Sequence, residues 1–178
     1  MTKKRKEPTI NFPKDPFTIG YICGLVDGEG CFNITISKNS RGPAVGFFVC
    51  PQFMIHLTEK DKRILDFVQN TLNSGFVRFN TSNYDRAVKN LRAKDSFKLR
   101  IAKINDCLKL AEFLDGKLIV KQKDLTLWKE ILNLIKEGKH LTKEGILEIA
   151  KIRDNMNNPN KSRKYKSYDW FKNFFSQN

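Results

Sequence analysis

Asp27-Gly28-Glu29-Gly30 is the stretch of this sequence best equipped for chemistry, because it sets two carboxylates two positions apart among glycines. Taken alone, such a turn reads as an ordinary loop, and it lacks the further spaced ligands of a calcium EF-hand. The residues before it add a second reading. Gly20, Gly24 and Gly28 recur every fourth residue and fall along one side of a helix. Glycine inside a helix costs about 1 kcal/mol relative to Ala. The row is therefore either chance followed by a C-terminal glycine cap, or a face stripped of side chains so that another helix can come close. In the second case two helix ends meet side by side, each carrying Asp27 and Glu29. The carbonyl end of a helix is the negative pole of its dipole. A carboxylate and free carbonyls there offer hard oxygen ligands suited to Mg2+. Metal chemistry of other kinds is excluded, since His56 and His140 are the only histidines. Cys23, Cys31, Cys50 and Cys107 form no Cys-x-x-Cys pair and read as small buried residues in a reducing compartment.

The elements around this stretch follow from capping and periodicity. Asp15 is an N-cap with Pro16 at the first helical position, and a helix is expected to about Asp27, with Ile19, Ile22, Cys23 and Val26 as its apolar stripe. Phe32, Ile34 and Ile36 then alternate with Asn33, Thr35 and Ser37, the pattern of a strand with one buried face. A second strand is expected over Val45–His56, where Pro51 suggests an edge or a bulge. Thr58-Glu59-Lys60-Asp61 resembles a capping box opening a helix through Ile64, Leu65, Val68 and Leu72, closed by Asn73-Ser74-Gly75. Strands Phe76–Asn80 and Ser96–Ile101 follow, then helices Asn105–Leu114, Lys121–Lys136 and Thr142–Asn155, and a short amphipathic segment Tyr168–Phe175. The order predicts an α+β fold. It divides into a flexible basic arm (1–14), one domain (15–156) and a basic tail (157–178). Helix–strand–strand–helix–strand–strand is a weak structural repeat, without a second copy of the acidic motif.

Lys and Arg number 33 against 19 Asp and Glu, a formal net charge of +14. Such an excess points to a polyanionic partner, nucleic acid first and an anionic membrane surface second. No run approaches the roughly 18 consecutive apolar residues of a membrane span, and no apolar region follows Lys3-Lys4-Arg5-Lys6 as in a secretory signal. The outward strand residues are Asn33, Thr35, Ser37, Gln52, His56, Arg78, Asn80, Lys98 and Arg100. They are either the wet face of a half-exposed sheet or a surface that reads bases, Asn and Gln on adenine and Arg on guanine. Phe48, Cys50 and Met54 fall on the same side, which fits contact with thymine methyls or else a register error. Arg86, Lys89, Arg92, Lys94, Lys161, Arg163, Lys164 and Lys166 are assigned to phosphates, which position a protein without specifying sequence.

Ile22–Gly30 resembles the LAGLIDADG motif, with Gly24, Asp27 and Gly30 in register and Glu29 in place of the final Asp. The resemblance continues through Phe53-Met54-Ile55-His56-Leu57, Asp61-Lys62-Arg63-Ile64-Leu65, Gly75-Phe76-Val77-Arg78 and Lys121-Gln122-Lys123, covering roughly Phe17 to Asn155. It implies the LAGLIDADG homing-endonuclease fold, an αββαββα-type core with a curved antiparallel DNA-binding sheet and additional C-terminal helices. It also implies a homodimer, since family members with one motif pair their motif helices. By position Glu29 is then the metal-binding acid, Gly28 supplies a carbonyl to the metal, and Lys121 is a catalytic cation near the scissile phosphate, unless it is an ordinary solvated lysine. Gly20, Cys23, Gly24 and Asp27 fall at the contact between copies, with Asp27 also assigned to helix capping. One departure stands out: Leu57 occupies the place of a water-ordering Gln, leaving that task to His56 or Gln52.

The implied function is a Mg2+-dependent, intron-encoded endonuclease, with Mn2+ able to substitute. It would cut double-stranded DNA at the centre of a long pseudo-palindromic site and leave short 3′ overhangs. A maturase acting on intron RNA and a catalytically inactive DNA-binding module are the alternatives. No membrane partner is expected. The Lys, Asn, Ile and Phe richness favours an organellar gene, in mitochondrion or chloroplast, while Lys3–Lys6 leaves the nucleus open.

Overall fold

The computed structural model describes residues 10–39, 45–80, 95–157 and 166–177. Helix α1 (Pro16–Glu29) starts where the sequence predicts: the Asp15 side chain accepts from Thr18 N at 2.8 Å, with Pro16 beginning the helix. It ends two residues later than expected, because Gly28 and Glu29 complete the last turn and Gly30 N–H closes on the Val26 carbonyl. Only glycine fits at position 30, since a Cβ there would lie 2.6 Å from the Val26 oxygen. The chain then passes straight into β1 (Gly30–Lys38) and on to β2 (Phe47–Thr58).

A short 3-10 turn, Glu59–Asp61, precedes α2 (Lys62–Leu72). The expected capping box is absent: the Thr58 hydroxyl donates to the Asp61 carboxylate at 2.8 Å instead of the two groups capping backbone N–H donors. Asn73, in the left-handed region at φ 48°, ends α2 as predicted. Strands β3 (Phe76–Asn80) and β4 (Ser96–Ile101) match their expected bounds. Helices α3 (Ile104–Leu114), α4 (Gln122–Lys136), α5 (Lys143–Asp154) and α6 (Tyr168–Gln177) complete the chain.

The four strands form one antiparallel sheet in the order β1-β2-β4-β3. Pro51 lies inside β2, yet it breaks no ladder. β4 pairs with β2 only from Phe53 to Thr58, so at Pro51 the strand has β1 alone as neighbour. Phe32, Ile34, Ile36, Phe53, Ile55, Leu99 and Ile101 turn one face of the sheet into the core. Against it pack Ile22 and Val26 of α1, Leu65 and Val68 of α2, Leu110 of α3, Ile131 of α4 and Ile149 of α5. Trp128 is fully buried, its ring 5.1 Å from that of Phe32 and its indole N–H donating to the Asn33 carbonyl at 3.4 Å. The Ser74 hydroxyl donates to the Asp106 carboxylate at 2.6 Å, tying the end of α2 to α3.

Both ends of the described chain belong to the fold more than expected. Ile10 is buried, Asn11 N donates to the Leu72 carbonyl at 2.8 Å and Phe12 stacks on Phe113. Apolar residues at 10 and 12 thus draw the end of the supposed arm onto the core. In the supposed tail, Phe171 is fully buried, and Trp170, Phe171, Phe174 and Phe175 gather around Phe47 of β2. Lys166 donates to the Ile36 carbonyl at 3.2 Å, so its ammonium is engaged within the fold. Lys3–Lys6, Arg86, Lys89, Arg92, Lys94, Lys161, Arg163 and Lys164 lie outside the described residues. Among the described residues no helix is long and apolar enough to cross a membrane.

Candidate functional site

Among the described residues no helix covers the other face of the sheet, and the strand register lines up its side chains. Asn33 pairs with Gln52, Thr35 with Cys50 and Ser37 with Phe48. His56, Lys98 and Arg78 make one row across three strands. Cys31, Met54, Arg100 and Phe76 make a row across all four, and Thr58, Ser96 and Asn80 another. All nine outward residues expected from the alternation therefore share one face, as do Phe48, Cys50 and Met54. Cys31, Thr58, Phe76 and Ser96 share it too; the same alternation, carried two residues beyond each named position, would have found them.

The strands hold no Asp or Glu, and Arg78, Lys98 and Arg100 stand on this face, while Lys38 turns to the other side over Phe174. Such a face attracts a polyanion without internal repulsion. Gln52 Nε2 donates to Thr35 Oγ1 at 3.0 Å, and the Arg100 guanidinium reaches Cys50 Sγ at 3.7 Å. Burial and the neighbouring Lys98 charge push the His56 pKa below its usual value, which keeps the imidazole neutral at neutral pH. Leu57 pairs with Phe97 and is half-buried against the core, so position 57 brings no polar group to the site.

Helix α1 delivers its end to the edge of this face. Gly30 pairs with Ile55, so α1 joins the sheet beside the His56–Leu57 end of β2. There α1 and α4 cap each other. The Asp27 carboxylate accepts the backbone N–H groups of Ile119 (2.7 Å), Val120 (3.1 Å) and Lys121 (3.0 Å), which lie in the bend that leads into α4 and end on its N-cap residue. In return the Lys121 ammonium donates to the carbonyls of Val26 (3.2 Å), Asp27 (2.7 Å) and Gly28 (2.9 Å) at the end of α1. Each charge sits at the helix pole that favours it. Partial burial alone would raise the Asp27 pKa, but the three N–H donors and Lys121 together hold it below the usual carboxylate range.

Glu29 is exposed at the same end, beside the Gly28 carbonyl. Among the described residues no three His, Cys, Asp or Glu side chains gather into a metal cluster. What one chain offers is one carboxylate and one carbonyl, both hard oxygen donors, at a place where a cation, the Lys121 ammonium, is already held. That donor set fits half of a Mg2+ site.

The glycine row is bare. A Cβ at Gly20, Gly24 or Gly28 would meet nothing within 4 Å, and all three glycines are exposed. Phe17 on this helix is 81% exposed, Tyr21 stands edge-on to the exposed Phe67, and Ile119 and Val120 beside Asp27 are 92% and 75% exposed. One of the residues assigned to the contact between copies is placed differently. Cys23 is buried in the chain's own core, being one of the stripe residues that face the sheet, and burial raises its thiol pKa. Asp27 is half-exposed and bonded to the backbone of Ile119, Val120 and Lys121.

The sequence model of LAGLIDADG endonucleases matches residues 22–132. A protein of Neurospora crassa named "Probable intron-encoded endonuclease 2" is 35% identical over 139 residues, covering 77% of this chain and 28% of its own length. A second from the same organism, "Probable intron-encoded endonuclease 3", is 31% identical, so the chain spans about a quarter of the curated relatives it matches. Among solved structures, the homing endonuclease I-TnaI superposes with a TM-score of 0.71 at 29% identity, covering 89% of this chain and 96% of that one. The LAGLIDADG meganuclease I-CpaMI, bound to uncleaved DNA, superposes with a TM-score of 0.70 at 26% identity, over 89% of this chain and 49% of that one.

Proposed function

The chain belongs to the LAGLIDADG endonuclease family, and on that premise we propose that it is an intron-encoded homing endonuclease that cuts both strands of a specific DNA site as a homodimer. The observation that carries the dimer is the glycine face of α1. A helix side with no side chains, flanked by exposed Phe17, Tyr21, Phe67, Ile119 and Val120, is built for close approach by a second such helix. A second copy related by two-fold symmetry would bring its own Glu29 and Gly28 to the same point and complete the half-site. The acid-free sheet faces of the two copies would then lie along the major groove, which is wide enough for a two-stranded ribbon; the related I-CpaMI is a protein solved bound to DNA.

In this reading Glu29 and the Gly28 carbonyl of each copy hold divalent metal, Mg2+ or Mn2+. The metal supplies activation of water and stabilisation of the leaving oxygen at phosphorus. The chain's own contributions are separate. Lys121 offsets charge developing on the phosphate. Asp27 fixes the backbone from which Lys121 extends. Asn33, Gln52, Arg78, Lys98 and Arg100 set the position and sequence of the DNA.

The test is incubation with a duplex spanning the intron-less insertion locus and Mg2+, followed by mapping of the ends. The expected product is a double-strand cut at the centre of a pseudo-palindrome with short 3′ overhangs. Tight DNA binding without cutting would leave a DNA-binding module. Affinity for the intron RNA alone would leave a maturase.

A further inference from the structure

Lys121 is engaged in a way that a side chain waiting for a phosphate need not be. Its ammonium lies within 2.7 to 3.2 Å of three carbonyl oxygens at the end of α1, and one of them, Gly28 O at 2.9 Å, is the oxygen assigned to metal. An ammonium and a divalent cation on one carbonyl repel each other and compete for its lone pairs. Meanwhile Asp27 binds the backbone N–H groups of residues 119–121, which anchors the Lys121 backbone independently of where its side chain points.

We propose that Lys121 is a built-in occupant of the cation seat: it holds the α1 end in the metal-free protein and is released toward the DNA phosphate only when metal takes the Gly28 carbonyl. This inference rests on the metal role assigned above to Glu29 and Gly28. It couples two parts of the site through one oxygen atom. Without metal the cation needed at the phosphate stays folded back on the helix, so DNA bound in the absence of Mg2+ meets a site whose lysine is withheld. The pivot at Asp27 makes the exchange a side-chain movement, with the loop before α4 left in place.

Mn2+ binding by the full-length protein, followed by the loss of the free-ion paramagnetic resonance signal, separates this inference from its premise. The titration is run at high salt, where screening confines charge effects to a few ångströms. Lys121→Met vacates the seat, while Lys123→Met removes an equal charge two residues on, from an exposed position in α4. The expected result is Mn2+ binding that Glu29→Gln abolishes, about tenfold tighter in Lys121→Met, as for the loss of one charge-assisted competitor, and unchanged in Lys123→Met. Equal affinity in wild type and Lys121→Met, or an equal gain in both lysine variants, overturns the exchange while leaving the metal site standing. Binding that ignores Glu29→Gln, or no binding in any variant, overturns the metal assignment and the exchange with it. Circular dichroism of Lys121→Met checks the fold, which the backbone bonds to Asp27 should preserve.

Discussion

Replacing Asp27 by Asn tests the joint between α1 and α4. In the wild type Oδ2 accepts Ile119 N–H at 2.7 Å, while Oδ1 accepts Val120 and Lys121 N–H at 3.1 and 3.0 Å. Asn keeps one acceptor oxygen and turns an NH2 donor toward whatever the other oxygen had held. At best two bonds survive, now neutral, and one N–H faces a donor. Hydrogen bonds to a charged group contribute about 1.5–3 kcal/mol against about 1 for neutral ones, and solvent at this half-exposed site reduces both. The net loss is about 2 kcal/mol, or roughly 4–8 °C for a chain of this size. Urea titration at neutral pH should show it as a lower midpoint with an unchanged slope. The pH dependence carries a second signature. The folded-state pKa of Asp27 lies below its ordinary value of 3.8, so its contribution is complete above that value and fades as pH falls through the folded one. The gap between wild type and variant should therefore close in acid. A gap under about 0.5 kcal/mol at neutral pH, or one that persists unchanged into acid, would mean that the Asp27 carboxylate does not hold this joint as an anion.

Gly24→Leu should leave the single chain folded by circular dichroism, since a Cβ at 24 has open space around it. Sedimentation equilibrium should show self-association weakened about 30-fold or more, because overpacking of about 1–3 kcal/mol recurs on both copies. Lys98→Ala, on the outward face, should lower the slope of log affinity against log salt by about one per copy, whereas Arg100→Ala should relax the preference at one base position, read by competition between duplexes. Phe171→Ala removes a fully buried ring from the Phe47 cluster and should cost on the order of 3 kcal/mol in urea titration, as expected for the core face of an amphipathic helix.

What was legible in the sequence was whatever rests on local periodicity or capping. The alternation of Phe32, Ile34 and Ile36 fixed the buried face of β1, and with it the outward Asn33, Thr35 and Ser37. Asp15-Pro16 fixed the start of α1. Pairings across the chain were not legible. Pro51 could be read only as an edge or a bulge, because nothing local tells where β4 stops along β2. Thr58 and Asp61 have capping-box spacing, but the three-residue turn at 59–61 brings their side chains to each other. Cys23 shares the α1 stripe with Ile22 and Val26, and that stripe already pointed inward. Asp27 stands 92 to 94 residues before the N–H groups it holds, a distance no spacing rule spans. The amphipathic segment Tyr168–Phe175 was legible from its aromatic residues, but its target, Phe47 of β2, was not, because that contact spans more than a hundred residues.

If Glu29 holds the metal that cuts, on a surface that binds DNA without it, removing its charge must separate binding from cleavage. The direct measurement compares wild type and Glu29→Gln on the same insertion-site duplex, with binding measured in Ca2+ and cleavage in Mg2+. The variant should bind DNA within a few-fold of wild type and cut it only at background. Cleavage that survives the substitution, or DNA binding that is lost along with it, would take the metal role away from Glu29.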